Sequence, residues 1–202
     1  MRALRVVLVT VCAVLAAGEG VRHWTHTETE IIWQGRYKNC DYGYAVILPD
    51  GLVAHGDLPP SPNHGVLVSA KEPGITAQVT LAEARLIYVN NEYYDAADSG
   101  SVREYLKRSR EKNEEVVETE NLTFKGLSAV YSHSRIKLGT DKVEKVEMVL
   151  YRNGAHTGRS DILYVIALRT PAEYFSQDSV LYNKILDGFE VLPVPKGECS
   201  ND

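Results

Sequence analysis

The chain has 202 residues, 44% of them hydrophobic and 24% charged, the balance of an ordinary globular protein. That composition excludes a disordered, collagen-like or multiply membrane-spanning chain, and three cysteines are too few for a disulfide-dense mini-protein. A formal charge of −5 argues against general nucleic-acid binding, because phosphate contacts need a basic surface.

Arg2 and Arg5 open the chain, Val6 to Ala17 form an apolar run, and Ala16, Ala17 and Gly18 follow as small residues. This is the three-part order of a secretory signal peptide over residues 1–18, cleaved after Gly18 or Gly20. The apolar run covers only about 18 Å as a helix, against a membrane core of about 30 Å. Cys12 lies inside that run rather than behind the cleavage point, so a lipoprotein anchor is not expected. Removal of residues 1–18 leaves 20 basic against 27 acidic residues, a charge of −7. Any electrostatically bound partner is then expected to be basic. The two remaining cysteines, Cys40 and Cys199, read as one disulfide of an exported protein. Such a bridge would close a loop of about 160 residues and contribute at most about 5 kcal/mol.

Residues 19–39 have no clear period and read as a linker that ends in a strand near Glu30–Trp33. Tyr42–Leu48 is a β-rich run, Pro49-Asp50-Gly51 a turn, and Leu52–His55 the returning strand of a hairpin. Prolines make Gly56–Asn63 a loop. Strands are expected at Gly65–Ala70 and Ala84–Val89, with a turn at Lys71–Gly74 and a loop over Asn90–Gly100. Ser101 and Glu104 form a capping box that opens a helix ending near Asn113, with Val102, Tyr105 and Leu106 on its inner face. Three strands follow at Val116–Thr123, Leu127–Ile136 and Val143–Arg152, joined by turns at Lys125-Gly126 and Gly139–Asp141. Asn153-Gly154 is a turn. Ile162–Leu168 is the most continuous apolar strand and belongs at the centre of a sheet. Thr170-Pro171-Ala172-Glu173 reads as a helix start. A last helix over Ser179–Asp187 buries Val180, Leu181, Ile185 and Leu186 and stops at a left-handed Gly188. Phe189–Leu192 is a final strand. The order predicts one α+β domain over residues 40–199, a largely antiparallel sheet with helices packed on it.

The motifs of phosphate-binding loops, dinucleotide folds, helical zinc proteases and dithiol redox sites are missing from the sequence. Ser128, in Gly126-Leu127-Ser128-Ala129-Val130, is the nearest approach to a hydrolase nucleophile. It lacks the second glycine and sits on a turn into a strand, where an ordinary strand residue is expected. His55, Asp57 and His64 flank the proline loop and together are the candidate metal ligands, since two imidazoles and a carboxylate suit zinc. They would make the chain a metal-assisted hydrolase. His23 and His26 are a weaker pair, and His133 reads as a sheet residue. The acidic run Glu111, Glu114, Glu115, Glu118 and Glu120 reads as a solvated face, because nothing apolar in the sequence brackets it. Tyr93, Tyr94 and Tyr105 are the candidate binding residues, because tyrosine offers a large face and a hydroxyl at contact surfaces. Asn121-Leu122-Thr123 matches a glycan acceptor, relevant only to a host with an endoplasmic reticulum.

A set of elements carries a resemblance. Tyr44–Leu48 with Pro49, the helix at Val102–Lys112, and Gly126 before the Ala129–Tyr131 strand come first. Tyr164–Leu168, Tyr174-Phe175 and the closing Ile185-Leu186-Asp187-Gly188-Phe189 complete it. Over residues 40–192 the chain resembles the PsbP-like superfamily: photosystem extrinsic proteins, a Ran-binding nuclear import factor and envelope proteins of the DcrB type. The resemblance implies an α/β/α sandwich around an antiparallel sheet, and a protein-binding or assembly role without common catalytic residues. The expectation is therefore an exported, monomeric, non-enzymatic accessory protein of the cell envelope, periplasmic or secreted. It would bind a protein partner, with no cofactor and no membrane span after cleavage.

Overall fold

The protein is described by a computed structural model over residues 32–56, 64–70, 85–94, 100–154 and 160–193. Residues 1–18, read as a signal peptide from the sequence, lie outside the described residues, as do His23, His26, Asp57 and Cys199 and the loop and turn expected over 57–63 and Lys71–Gly74. The chain runs through β1 (Ile32–Gln34), β2 (Arg36–Asn39), β3 (Tyr44–Ile47), β4 (Leu52–His55), β5 (Gly65–Ala70) and β6 (Leu86–Tyr94). Helix α1 (Val102–Arg108) follows, then β7 (Glu114–Phe124), β8 (Leu127–Leu138), β9 (Asp141–Arg152) and β10 (Asp161–Pro171). A 3-10 turn at Ala172–Tyr174 leads into α2 (Phe175–Gly188), and β11 (Phe189–Val191) follows directly.

Eight strands form one sheet in the order β1-β4-β5-β6-β10-β9-β8-β7, with neighbouring strands antiparallel. The remaining three form a small antiparallel sheet, β11-β3-β2. This is the expected α+β architecture. β10 lies inside the large sheet between β6 and β9 and is buried from Ile162 to Pro171, as its unbroken apolar run requires. The two faces of the large sheet have separate cores. Tyr164, Ile166 and Leu168 meet α2 and the small sheet, whereas Leu163, Val165 and Ala167 meet α1. On the first face Tyr44, Tyr164 and Phe189 interlock, with ring centroids 5.4 to 5.6 Å apart, so β3, β10 and β11 share one aromatic core.

Several local expectations are corrected. The 19–39 segment contributes two strands, because β1 pairs with β4 and β2 with β3. Pro49-Asp50-Gly51 does turn, with Leu52 N–H donating to Pro49 O at 3.0 Å and Gly51 at φ +85°. It does not make a hairpin: β3 joins the small sheet and β4 the large one, since each finds its apolar partner on a different layer. β6 continues to Tyr94 through the region expected to be loop, because β10 pairs with it along its whole length. The capping box is present, with Ser101 Oγ accepting from Glu104 N–H and the Glu104 carboxylate accepting from Ser101 N–H at 2.7 Å. The helix it opens ends at Arg108 rather than near Asn113.

Thr170 does not cap a helix. Its hydroxyl donates to buried Asp178 at 2.6 Å, and Arg85 Nε donates to the same carboxylate at 2.9 Å. Arg85 also lies 4.5 Å over the Tyr174 ring, so the start of α2 is clamped to the sheet by one carboxylate. α2 begins at Phe175 rather than Ser179, and it buries Tyr182, Ile185 and Leu186 while Val180 is exposed. Gly188 is the last helical residue and has no positive φ. Glycine is required there by proximity, because a Cβ would lie 2.6 Å from the Ile47 carbonyl oxygen. Among the described residues, no helix is long and apolar enough to cross a membrane.

Candidate functional site

Alternation along β6 sends its side chains to opposite faces. The three candidate tyrosines are therefore not one surface. Tyr93 projects on the small-sheet side and is 57% exposed, with its ring 4.9 Å from that of Tyr42. The Tyr42 ring in turn lies 5.9 Å from His64. Burial and the neighbouring Tyr93 push the Tyr42 hydroxyl up. Beneath this ridge Asn91 is fully buried and accepts from the Tyr44 hydroxyl at 2.7 Å. Tyr94 faces α1, is buried, and donates to Gly100 O at 2.5 Å. Its ring meets those of Tyr105 and Tyr151 edge-on, and the Tyr105 hydroxyl donates to Glu92. Tyr94 and Tyr105 thus hold α1 to the sheet, and Tyr93 alone of the three presents a ring outward.

His55 Nε2 lies 2.7 Å from Ser69 Oγ, and His64 Nδ1 lies 3.0 Å from the Asn91 carbonyl oxygen. Among the described residues there is no group of three His, Cys, Asp or Glu side chains placed to hold a metal ion. His133 is stacked on Phe175 and hydrogen-bonded to Glu144 at 2.8 Å. Ser128 is a ladder residue of β8 opposite Tyr151. It borders a groove of about 440 Å³ beside the start of α1, lined also by Val102, Arg103, Asn121, Leu122, Val130 and Tyr151.

The acidic run divides in a way its spacing did not show. Glu115, Glu118 and Glu120 are exposed, as expected, but the Glu114 side chain is only 2% exposed. It belongs to an ion cluster on the α1 face of the sheet. Ser134 donates to Glu114 at 2.7 Å, and Lys145 lies 3.0 Å from Glu147 and 3.5 Å from Glu114. Arg169 pairs with Glu111, which sits on the turn from α1 to β7. Burial holds the Glu147 carboxyl above its ordinary value, opposed by Lys145 and reinforced by Glu114 and Glu111. Burial also raises the Tyr88 hydroxyl, as do Glu147, Glu111 and Glu114, against the opposing Arg169. The signal for this cluster was present in the sequence only in part. Arg169 closes the apolar run of β10, but Ser134, Lys145 and Glu147 stand among other polar residues of β8 and β9, and only the strand order places the four side by side.

No family model matches the sequence, and no curated protein matches it. Among the solved structures that share its fold are two with TM-scores above 0.5. One is cyanobacterial PsbP (CyanoP) from Synechocystis sp. PCC 6803, at 14% identity and a TM-score of 0.53, covering 85% of this chain and 98% of that one. The other is LpqN of Mycobacterium tuberculosis, involved in cell envelope biogenesis. It is 11% identical, with a TM-score of 0.54, over 80% of this chain and 92% of that one.

Proposed function

We propose, for a chain with a PsbP-like fold, an exported, non-enzymatic accessory role in the cell envelope, exercised by binding a protein partner. Residues 1–18 act as the export signal and Cys40 bridges to Cys199 in this reading. The observation that carries the binding role is the outward ring of Tyr93, 57% exposed and seated on Tyr42. An aromatic side chain held rigid before binding loses little conformational entropy on contact, which is why such residues anchor interfaces. The envelope role of LpqN supports the compartment. The metal-assisted hydrolase reading of His55, Asp57 and His64 draws no support from the described residues, which hold no group of three metal-ligating side chains and do not include Asp57.

The test separates the two neighbouring tyrosines. Tyr93→Ala should abolish cross-linked capture of the partner from the envelope fraction while leaving the melting temperature unchanged. Tyr94→Ala should instead destabilise the fold by about 3 kcal/mol, as truncation of a buried aromatic does. Undiminished capture by Tyr93→Ala would remove this surface from the proposal.

A further inference from the structure

The large sheet ends in β1 and β7, and the small one in β11 and β2. Proteins blunt such edges, because a row of unpaired backbone groups accepts a strand from another chain. Three of these edges are blunted by length, with 3 residues in β1, 4 in β2 and 3 in β11. β7 is different. It runs for 11 residues without a proline or a lysine. A bulge between Val116 and Glu118 interrupts its register with β8, but Glu118–Phe124 beyond it pairs without a break. Among the described residues, the backbone of Val116–Phe124 makes no hydrogen bond other than its ladder with β8. What guards this edge is charge of a single sign, which repels its own kind and leaves the opposite kind free to approach.

Alternation separates what the edge offers on its two faces. On the α2 face stand Glu118 and Glu120, opposite His133 and Tyr131. Both acids are exposed, and neither is hydrogen-bonded or ion-paired among the described residues. On the α1 face stand the uncharged Thr119, Asn121 and Thr123, opposite Ser132, Val130 and Ser128. Asn121 there borders the groove of about 440 Å³ at the start of α1.

We propose that β7 takes up an extended segment of a partner protein as an additional strand over Glu118–Phe124, and that this segment alternates basic with apolar residues. Its basic side chains lie against Glu118 and Glu120, and the apolar one opposite Asn121 enters the groove. The net charge of −5 favours the approach of such a segment. Charge also selects it over a second copy of the chain. Two β7 strands paired antiparallel about Thr119 would set Glu118 opposite Glu120 twice, and like charges directly opposite are destabilising, whereas lysine or arginine at those places makes both pairs attractive. The inference is independent of Tyr93, which lies on β6, four strands in from this edge.

The experiment titrates the isotopically labelled folded protein with a short capped peptide of alternating lysine and valine, followed by nuclear magnetic resonance and amide hydrogen exchange. Saturable shifts are expected at the amides of Glu118–Phe124, with slowed exchange at those that point away from β8. The same peptide N-methylated on its pairing edge cannot join a ladder and should lose both effects. Glutamate in place of lysine should abolish binding. In the double variant Glu118→Lys, Glu120→Lys the preference should invert. Affinity for the lysine peptide falls about tenfold as two cross-strand pairs turn from attractive to repulsive, and the glutamate peptide binds. Tyr93→Ala should take up the lysine peptide as the wild type does. Absence of a saturable shift at β7, or unchanged affinity in the double variant, overturns the site. Undiminished binding of the N-methylated peptide overturns strand addition. Concentration-dependent dimerisation with shifts confined to β7 overturns the choice of occupant in favour of a second copy.

Discussion

Glu147 shows how one buried carboxyl links the cluster to pH. Desolvation raises its folded pKa above the ordinary 4.5, with Lys145 acting the other way and Glu114 and Glu111 adding to it. In the window above 4.5 the folded protein therefore holds a proton that the unfolded chain has released. Stability must fall as pH rises through that window, because the folded state then carries the cost of charging a buried group. Glu147→Gln cannot titrate. Wild-type stability measured by urea unfolding should decline against that of the variant as pH is raised from about 4.5 towards neutrality. A constant difference across that range would refute the assignment.

Two junctions decide how the elements meet. α1 has only 7 residues, too few to hold as a helix in isolation. Its capping box and the packing of Leu106, Val102 and Tyr105 on the sheet fix it in place. α2 passes into β11 without a loop, and the closeness of Gly188 to Ile47 brings the helix end onto β3. Gly188→Ala would gain helix propensity worth about 1 kcal/mol. Its methyl would meet a backbone carbonyl that cannot swing aside, a strain of about 1–3 kcal/mol. The clash should prevail, so a net loss of about 1 kcal/mol in denaturant unfolding is expected. A more stable variant would show that the β3 backbone yields. The capping box was legible because it is local: Ser and Glu three residues apart satisfy each other within one turn. The role of Gly188 was not, since the atom that demands glycine lies in a strand far away in sequence.

At the scale of the whole molecule, the proposed bridge would tie the buried end of β2, at Cys40, to a residue beyond the last strand. Digestion under non-reducing conditions should yield one linked peptide pair containing Cys40 and Cys199. Reduction should lower the melting temperature, with a stability loss of up to about 5 kcal/mol for so long a loop. Recovery of both cysteines as alkylated free thiols would reject the bridge.

The sequence by itself determined most of the segments that become strands and helices, though not β2 or the end of β6, and it determined which strand lies deepest. Alternation, capping residues, turn glycines and unbroken apolar runs act over a few residues, so their physics is complete within the segment. That is why β8 and β9, the start of α1 and the central position of β10 were readable. Only the tertiary structure decided the rest. β3 and β4 adjoin in sequence yet enter different sheets, because pairing is set by which apolar faces find each other. Tyr93 and Tyr94 likewise part to opposite sides once β6 is known to be a strand rather than a loop. Glu114 was indistinguishable from its solvated neighbours until antiparallel pairing laid β7, β8, β9 and β10 together. That arrangement brought Ser134, Lys145, Glu147 and Arg169 into one buried row. Charges desolvated by strands distant in sequence leave no local periodicity to read.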